Sequence, residues 1–171
     1  MNNMAAISQK QLAEWYEAYG TELMLYARQW NTEQQAEDIV QDAFIKLLKQ
    51  RRCPDNVRAW LFRVVRNASI SIVRRLQQGR RAGRKYLHRE VMRFESRSED
   101  LIDAQQAQDI LQTLPSHLCE IVLLRIWGQM TFKEIAQVMS KSIPWIHNEY
   151  KTALEMIRKN LEHSSCITKR T

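Results

Sequence analysis

Glycine and proline are scarce in this chain: 4 Gly and 3 Pro in 171 residues are too few to punctuate the many short strands of an all-β protein. Cysteine is scarce as well. Cys53, Cys119 and Cys166 are odd in number and widely spaced, which excludes a paired disulfide framework and a C-x-x-C zinc half-site; all three read as reduced thiols. No run approaches the roughly 20 apolar residues that span a bilayer, and Met1–Gln11 lacks the basic lead and apolar stretch of a signal peptide, so a cytoplasmic protein is expected. His88, His117, His147 and His163 are scattered and read as surface or capping histidines. With no phosphate loop, no ligand-spaced His/Cys cluster and no nucleophile constellation, neither an enzyme nor a metal or cofactor site is expected.

What is present is charge, unevenly laid down. Between Lys46 and Arg93 stand 15 Lys/Arg against Asp55 and Glu90, a net of +13. Residues 1–45 carry 2 basic and 7 acidic side chains, and residues 94–171 carry 9 and 10. A basic middle behind an acidic front implies one surface for a polyanion and another for a basic partner; the plain alternative is a solvated charged face.

Helical periodicity runs through most of the chain. Ser8 with Gln11 forms a capping box ahead of Leu12, Trp15, Tyr16, Tyr19, Leu23, Tyr26, Ala27 and Trp30, with Gly20 expected to interrupt or kink the element. Thr32 with Gln35 opens a second helix whose apolar stripe is Ala36, Ile39, Val40, Ala43, Phe44, Leu47 and Leu48. After a loop at 51–56, a third helix from about Val57 to Leu76 is expected to bury Leu61, Val64, Val65, Ala68, Ile72 and Leu76. Residues 77–99, with Gly79 and Gly83 among arginines, read as a basic linker. From about Asp100 the pattern resumes: Ala107, Ile110, Leu111 and Leu114, a helix start at Pro115, a turn at Gly128-Gln129, a short helix capped by Thr131 and Glu134, a turn at Ser140–Ser142, and a last helix from about Ile143 to Leu161. The fold class is therefore all-α: two small helical domains, 8–76 and 100–162, joined by the basic linker 77–99, with a disordered tail over 163–171.

Three patterns carry chemistry. A capped two-turn helix, a polar turn and a longer amphipathic helix have the spacing of a helix-turn-helix. Ile146, Tyr150, Ala153, Leu154 and Ile157 face inward there, leaving Trp145, His147, Asn148, Glu149, Lys151 and Thr152 outward; an ordinary helical hairpin is the alternative. On the third helix, Arg63, Asn67, Ser71 and Arg74 share a face, with Arg66 and Arg75 beside them, a set able to hold phosphate and bond base edges. Trp60 and Phe62 could stack on bases, although a Trp beside Leu61 is more often core. On the second helix, Glu37, Asp38, Gln41 and Asp42 form an acidic face, extended by Lys46, that suits a basic protein partner or simply solubilises the helix.

These residues also carry a resemblance. The run 36–44, AEDIVQDAF, then Arg58-Ala59-Trp60-Leu61-Phe62-Arg63 and Asn67, resembles region two of the extracytoplasmic-function (ECF) sigma factors of the sigma-70 family. Leu114-Pro115, the run 121–125, Thr131-Phe132-Lys133-Glu134-Ile135-Ala136 and Ala153-Leu154 resemble region four of the same group, in the family's order. The resemblance implies that Glu37, Asp38, Gln41 and Asp42 dock on the β′ clamp helices of core RNA polymerase, with the β flap as a second contact. It implies that Arg51, Arg52, Asp55, Asn56, Arg63, Arg66, Asn67, Ser71 and Arg74 hold the melted minus-ten strand. Thr131, Trp145, His147, Asn148, Lys151 and Thr152 would then meet duplex promoter DNA at the minus-thirty-five element, and an anti-sigma factor is an implied partner. The chain departs from the family at Ser140, where many relatives have Gly, at Lys141, where an apolar residue is usual, and at Glu149, where a basic residue is usual. Two other readings are a helix-turn-helix regulator that acts without polymerase and a decayed sigma-like protein working through protein contacts.

Overall fold

The computed structural model describes residues 7–79, 110–111 and 113–168, and every described element is helical. The chain divides into two compact units, Met1–Val91 and Met92–Thr171. The expected linker over 80–99 and the core position Ala107 lie outside the described residues.

Three helices make the first unit: α1 (Gln9–Ala27), α2 (Glu33–Leu48) and α3 (Val57–Gly79). Both expected capping boxes form. Ser8 accepts from the Gln11 amide while the Gln11 side chain accepts from the Ser8 amide, and Thr32 and Gln35 do the same, which satisfies helix-end donors that would otherwise go unpaired. At the start of α3 the Asn56 carboxamide oxygen accepts from the Ala59 amide at 2.9 Å, an N-cap of the preferred type. The three helices pack on each other around Leu23, Val40, Leu47, Leu61 and Val65, all almost fully buried.

Several expectations need correction. Gly20 does not break α1, which runs through it; Gly20 is buried, and a Cβ there would stand 3.7 Å from the Tyr16 ring. Leu48 is 44% exposed, because the buried stripe of α2 ends at Leu47 and the next residue is rotated 100° off it. On α3 the core residue is Phe62, at 2% exposed, whereas Trp60 is only half-buried. At 100° per residue Trp60 lies opposite Phe62 and Ser69, on the outer face. Val64, Ala68 and Ile72 are half-buried rather than core.

Two polar side chains, Asn31 and Ser69, are buried in this core. The Asn31 amide donates to the Ala27 carbonyl and to the Ser69 hydroxyl, both at 2.9 Å, which ties the α1–α2 turn to the middle of α3. Nearby, Arg58 of α3 bonds Glu22 of α1 at 2.7 Å and lies against the rings of Tyr19 and Phe62.

The second unit holds α4 (Ser116–Ile126), α5 (Phe132–Met139) and α6 (Ile143–Thr168), preceded by helical Ile110 and Leu111. Its core includes Leu118, Ile121, Val122, Leu124, Met130, Ile135, Ile146 and Ala153. Leu154, expected to face inward, is 42% exposed. α6 runs to Thr168 and α3 to Gly79, into the expected tail and linker; residues 169–171 lie outside the described ones.

Both turns of this unit use left-handed backbone. After α4, Gly128 is required by a close approach, since a Cβ would sit 2.7 Å from the Leu124 carbonyl oxygen, while Gln129 takes φ 45°. Arg125 closes that turn, donating to the Met130 carbonyl at 2.6 Å with its guanidinium 4.9 Å over the Phe132 ring. After α5, Ser140 takes φ 55° and ψ 48°, and the Lys141 amide donates to the Ala136 carbonyl at 3.0 Å. That left-handed cap is the conformation for which glycine is favoured.

Candidate functional site

Two faces of the first unit stand out. Glu37, Asp38, Gln41 and Asp42 are all exposed along α2, on the side away from the buried stripe. The face is not purely acidic. Ile45 is 48% exposed and follows Gln41 and Asp42 by one turn, and Leu48 continues the same strip. Sequence reasoning missed this apolar end because it counted Leu48 as core; the exposed Ile45, outside the 3–4 stripe, was the available signal.

The second face belongs to α3 and the loop before it. Arg63, Asn67 and Arg74 are exposed and Ser71 is half-buried, and their spacing puts them within one sector of the helix. Trp60 falls in the same sector. Arg75 donates to the Ser71 hydroxyl at 3.3 Å, which pre-orients a second cation on that side. Arg66 is half-buried, off the centre of the face. In the loop, Arg51, Arg52 and Asp55 are exposed. Asn56 differs from them, because its side-chain oxygen is committed to capping α3.

In the second unit, Asn148, Lys151 and Thr152 are exposed on α6, with the Thr152 hydroxyl donating to the Asn148 carbonyl at 3.1 Å. The remaining expected contacts are engaged inside the protein. The Thr131 hydroxyl and amide both bond Glu134 in a capping box. His147 meets Phe132 edge to face, with centroids 5.3 Å apart. Trp145 is half-buried, with Lys141 Nζ 5.2 Å from its ring centroid and the His117 ring 6.1 Å away. Glu149 bonds His117 Nε2 of α4 at 3.0 Å, a pairing across 32 residues that helical spacing could not reveal.

Cys119 is chemically quiet: burial first, and the neighbouring Glu120 carboxylate second, push its thiol from 9.0 up to about 11. Among the described residues no group of three or more His, Cys, Asp or Glu is placed to hold a metal ion, and no helix is long and apolar enough to cross a membrane.

Comparison with known proteins falls on the same residues. The sigma-70 region 2 family model matches residues 15–79, which include both faces of the first unit. A curated relative, RNA polymerase sigma factor YlaC of Bacillus subtilis (strain 168), is 22% identical over 165 residues, covering 87% of this chain and 91% of that one. Among solved structures, the sigma factor RpoE in complex with the anti-sigma factor NepR from Bartonella quintana aligns with a TM-score of 0.66 at 19% identity, over 90% of this chain and 98% of that one. CnrH in complex with the cytosolic domain of CnrY aligns with a TM-score of 0.61 at 22% identity, over 91% and 90%. At these identities the solved structures establish a shared helical fold.

Proposed function

We propose that this chain, whose residues 15–79 match the sigma-70 region 2 family model, is an RNA polymerase sigma factor of the ECF group. It directs core polymerase to its promoters and catalyses no reaction itself, working in the cytoplasm where that enzyme is. The observation that carries this reading is the opposed pair of faces on one small core: acidic and apolar on α2, cationic and amide-bearing on α3.

The α2 face with Glu37, Asp38, Gln41 and Asp42 takes the polymerase clamp. Carboxylates steer a basic partner and repel DNA phosphate, and Ile45 with Leu48 adds apolar area that salt does not screen. Arg63, Asn67, Ser71 and Arg74, with Arg51, Arg52 and Asp55 of the loop, take the opened minus-ten strand. The cations hold phosphates while Asn67 bonds exposed base edges. A surface that binds unpaired bases better than paired ones shifts the duplex toward the open state by that difference in affinity.

Asn148, Lys151 and Thr152 read duplex DNA at the minus-thirty-five element, with α6 as the recognition helix of a helix-turn-helix. A regulator of anti-sigma type is proposed to act by covering these surfaces; the RpoE and CnrH folds were each solved with such a partner or a cytosolic fragment bound.

Run-off transcription from a supercoiled promoter library, with core polymerase and this protein, tests the reading. Discrete protein-dependent transcripts are expected, and their upstream sequences give both promoter elements. Failure to bind core polymerase would overturn it.

A further inference from the structure

The three positions that depart from the family pattern, Ser140, Lys141 and Glu149, lie in one constellation. Ser140 makes the left-handed turn that delivers Lys141. The Lys141 ammonium stands 5.2 Å from the Trp145 ring centroid, within cation–π range. The His117 ring lies 6.1 Å from the same indole at an interplanar angle of 34°, and His117 bonds the Glu149 carboxylate at 3.0 Å. Cation, indole, imidazole and carboxylate thus form one chain of contacts linking the α5–α6 turn, the first two turns of α6, and the first turn of α4.

Each member is used differently from what its position suggested. Glu149 is turned to α4, where its carboxylate is engaged by the His117 ring rather than aimed at a base. Trp145 is half-buried among these groups and is poorly placed to lie against a base. Lys141 is exposed, and its ammonium rests on an aromatic face rather than on a carboxylate. A lysine is a compact charge on a flexible stem; resting that stem on a ring restricts it beforehand, which lowers the ordering cost of gripping an anion. In a helix-turn-helix the first helix crosses the nucleic-acid backbone while the N-terminal residues of the recognition helix meet base edges, so the turn between them lies beside that backbone.

We propose that Lys141 is a backbone-phosphate contact of the duplex-binding end of α6, with Trp145 as its mount and Glu149 as a positioning residue that acts through His117. This rests on the reading of the second unit as a duplex-binding helix-turn-helix.

The test uses the full chain and a 30-base-pair duplex carrying an upstream element recovered from the run-off experiment, beside a scrambled duplex, with affinity measured from about 50 to 200 mM salt. Lys141→Ala is expected to weaken binding to both duplexes by the same factor and to lower the log–log salt slope by about one. On a Trp145→Ala background the same change is expected to cost less than about twofold, while Trp145→Phe retains the full effect of Lys141, as the ring-mount argument requires. Glu149→Ala is expected to weaken binding, as loss of a positioning contact would, and His117→Ala to add nothing to it. Circular dichroism identifies folded variants, and Lys141→Ala, at an exposed turn, is the one least exposed to misfolding.

If Lys151→Ala weakens binding while Lys141→Ala leaves the salt slope unchanged, the phosphate contact is refuted and the duplex-binding reading stands. If Glu149→Ala strengthens binding, the carboxylate repels phosphate and its positioning role is refuted. If Lys141→Ala, Asn148→Ala and Lys151→Ala all leave binding unchanged, the reading of the second unit fails, and the inference with it.

Discussion

Replacing Ser140 by glycine should make the second unit more stable, although it removes the side chain and adds no contact. Ser140 holds φ 55° and ψ 48° at the end of α5, where the Cβ of an L-residue crowds the following carbonyl at a cost of roughly 1–2 kcal/mol. Glycine removes that strain but gives back about 0.5–1 kcal/mol through its greater freedom in the unfolded chain. The net gain is about 0.5–1 kcal/mol. For a unit of this size each kcal/mol moves the midpoint by about 4–8 °C, so calorimetry of the full chain should show the transition of the second unit rising by about 2–8 °C. Gln137→Gly, in the exposed middle of α5, serves as the control and should lose about 1 kcal/mol. A midpoint that stays still or falls with Ser140→Gly would refute the claim that this turn stores strain.

Other consequences are open to measurement. Asp38→Arg with Asp42→Arg should abolish binding to core polymerase with the helical circular dichroism signal intact; unchanged affinity would remove the α2 face from the interface. Gly128→Ala must displace the Leu124 carbonyl that a Cβ would meet at 2.7 Å, and a loss of about 1–3 kcal/mol in urea unfolding is expected; a neutral result would mean the turn yields freely. Cys119, held protonated up to about pH 11, has at pH 8 about a hundredfold less thiolate than a thiol titrating at 9.0, the reactive form being the thiolate. Peptide-resolved alkylation should therefore be about a hundredfold slower than for a free cysteine, rising tenfold per pH unit below that value, and rapid labelling would show that the site opens.

Local signals were legible and distant ones were not. The boxes at Ser8, Thr32 and Thr131 pair residues three apart, so they are written in the sequence and form as expected. The positive φ at Ser140 was foreseeable from the resemblance alone, because many relatives have Gly at that turn position. The kink at Gly20 was not found, since a glycine carried within a continuous, buried stretch of helix looks in sequence like one that breaks it. Trp60 was read as core and Phe62 is core instead, because a long amphipathic helix admits two readings of its inner sector and only packing against α1 and α2 selects one. Asp38, Asn67 and Lys151 are exposed, as helical spacing predicted. Asn56, Trp145 and Glu149 were read as free because their structural partners, such as the Ala59 amide or a histidine 32 residues away, are invisible to composition.

The single core behind α2 and α3 has a further consequence. On the proposed assignment, the surface gripping the enzyme and the surface gripping the opened strand lie on the outer sides of two helices that pack directly on each other, with a layer of Phe44, Leu47, Leu61 and Val65 buried behind them at the close packing of protein interiors. The domain then works as a gauge block, setting how far the first unpaired base stands from the polymerase. Thinning that layer, as with Leu61→Ala, should blur where RNA synthesis begins before it weakens attachment, and would be read as a spread of transcript 5′ ends from one promoter.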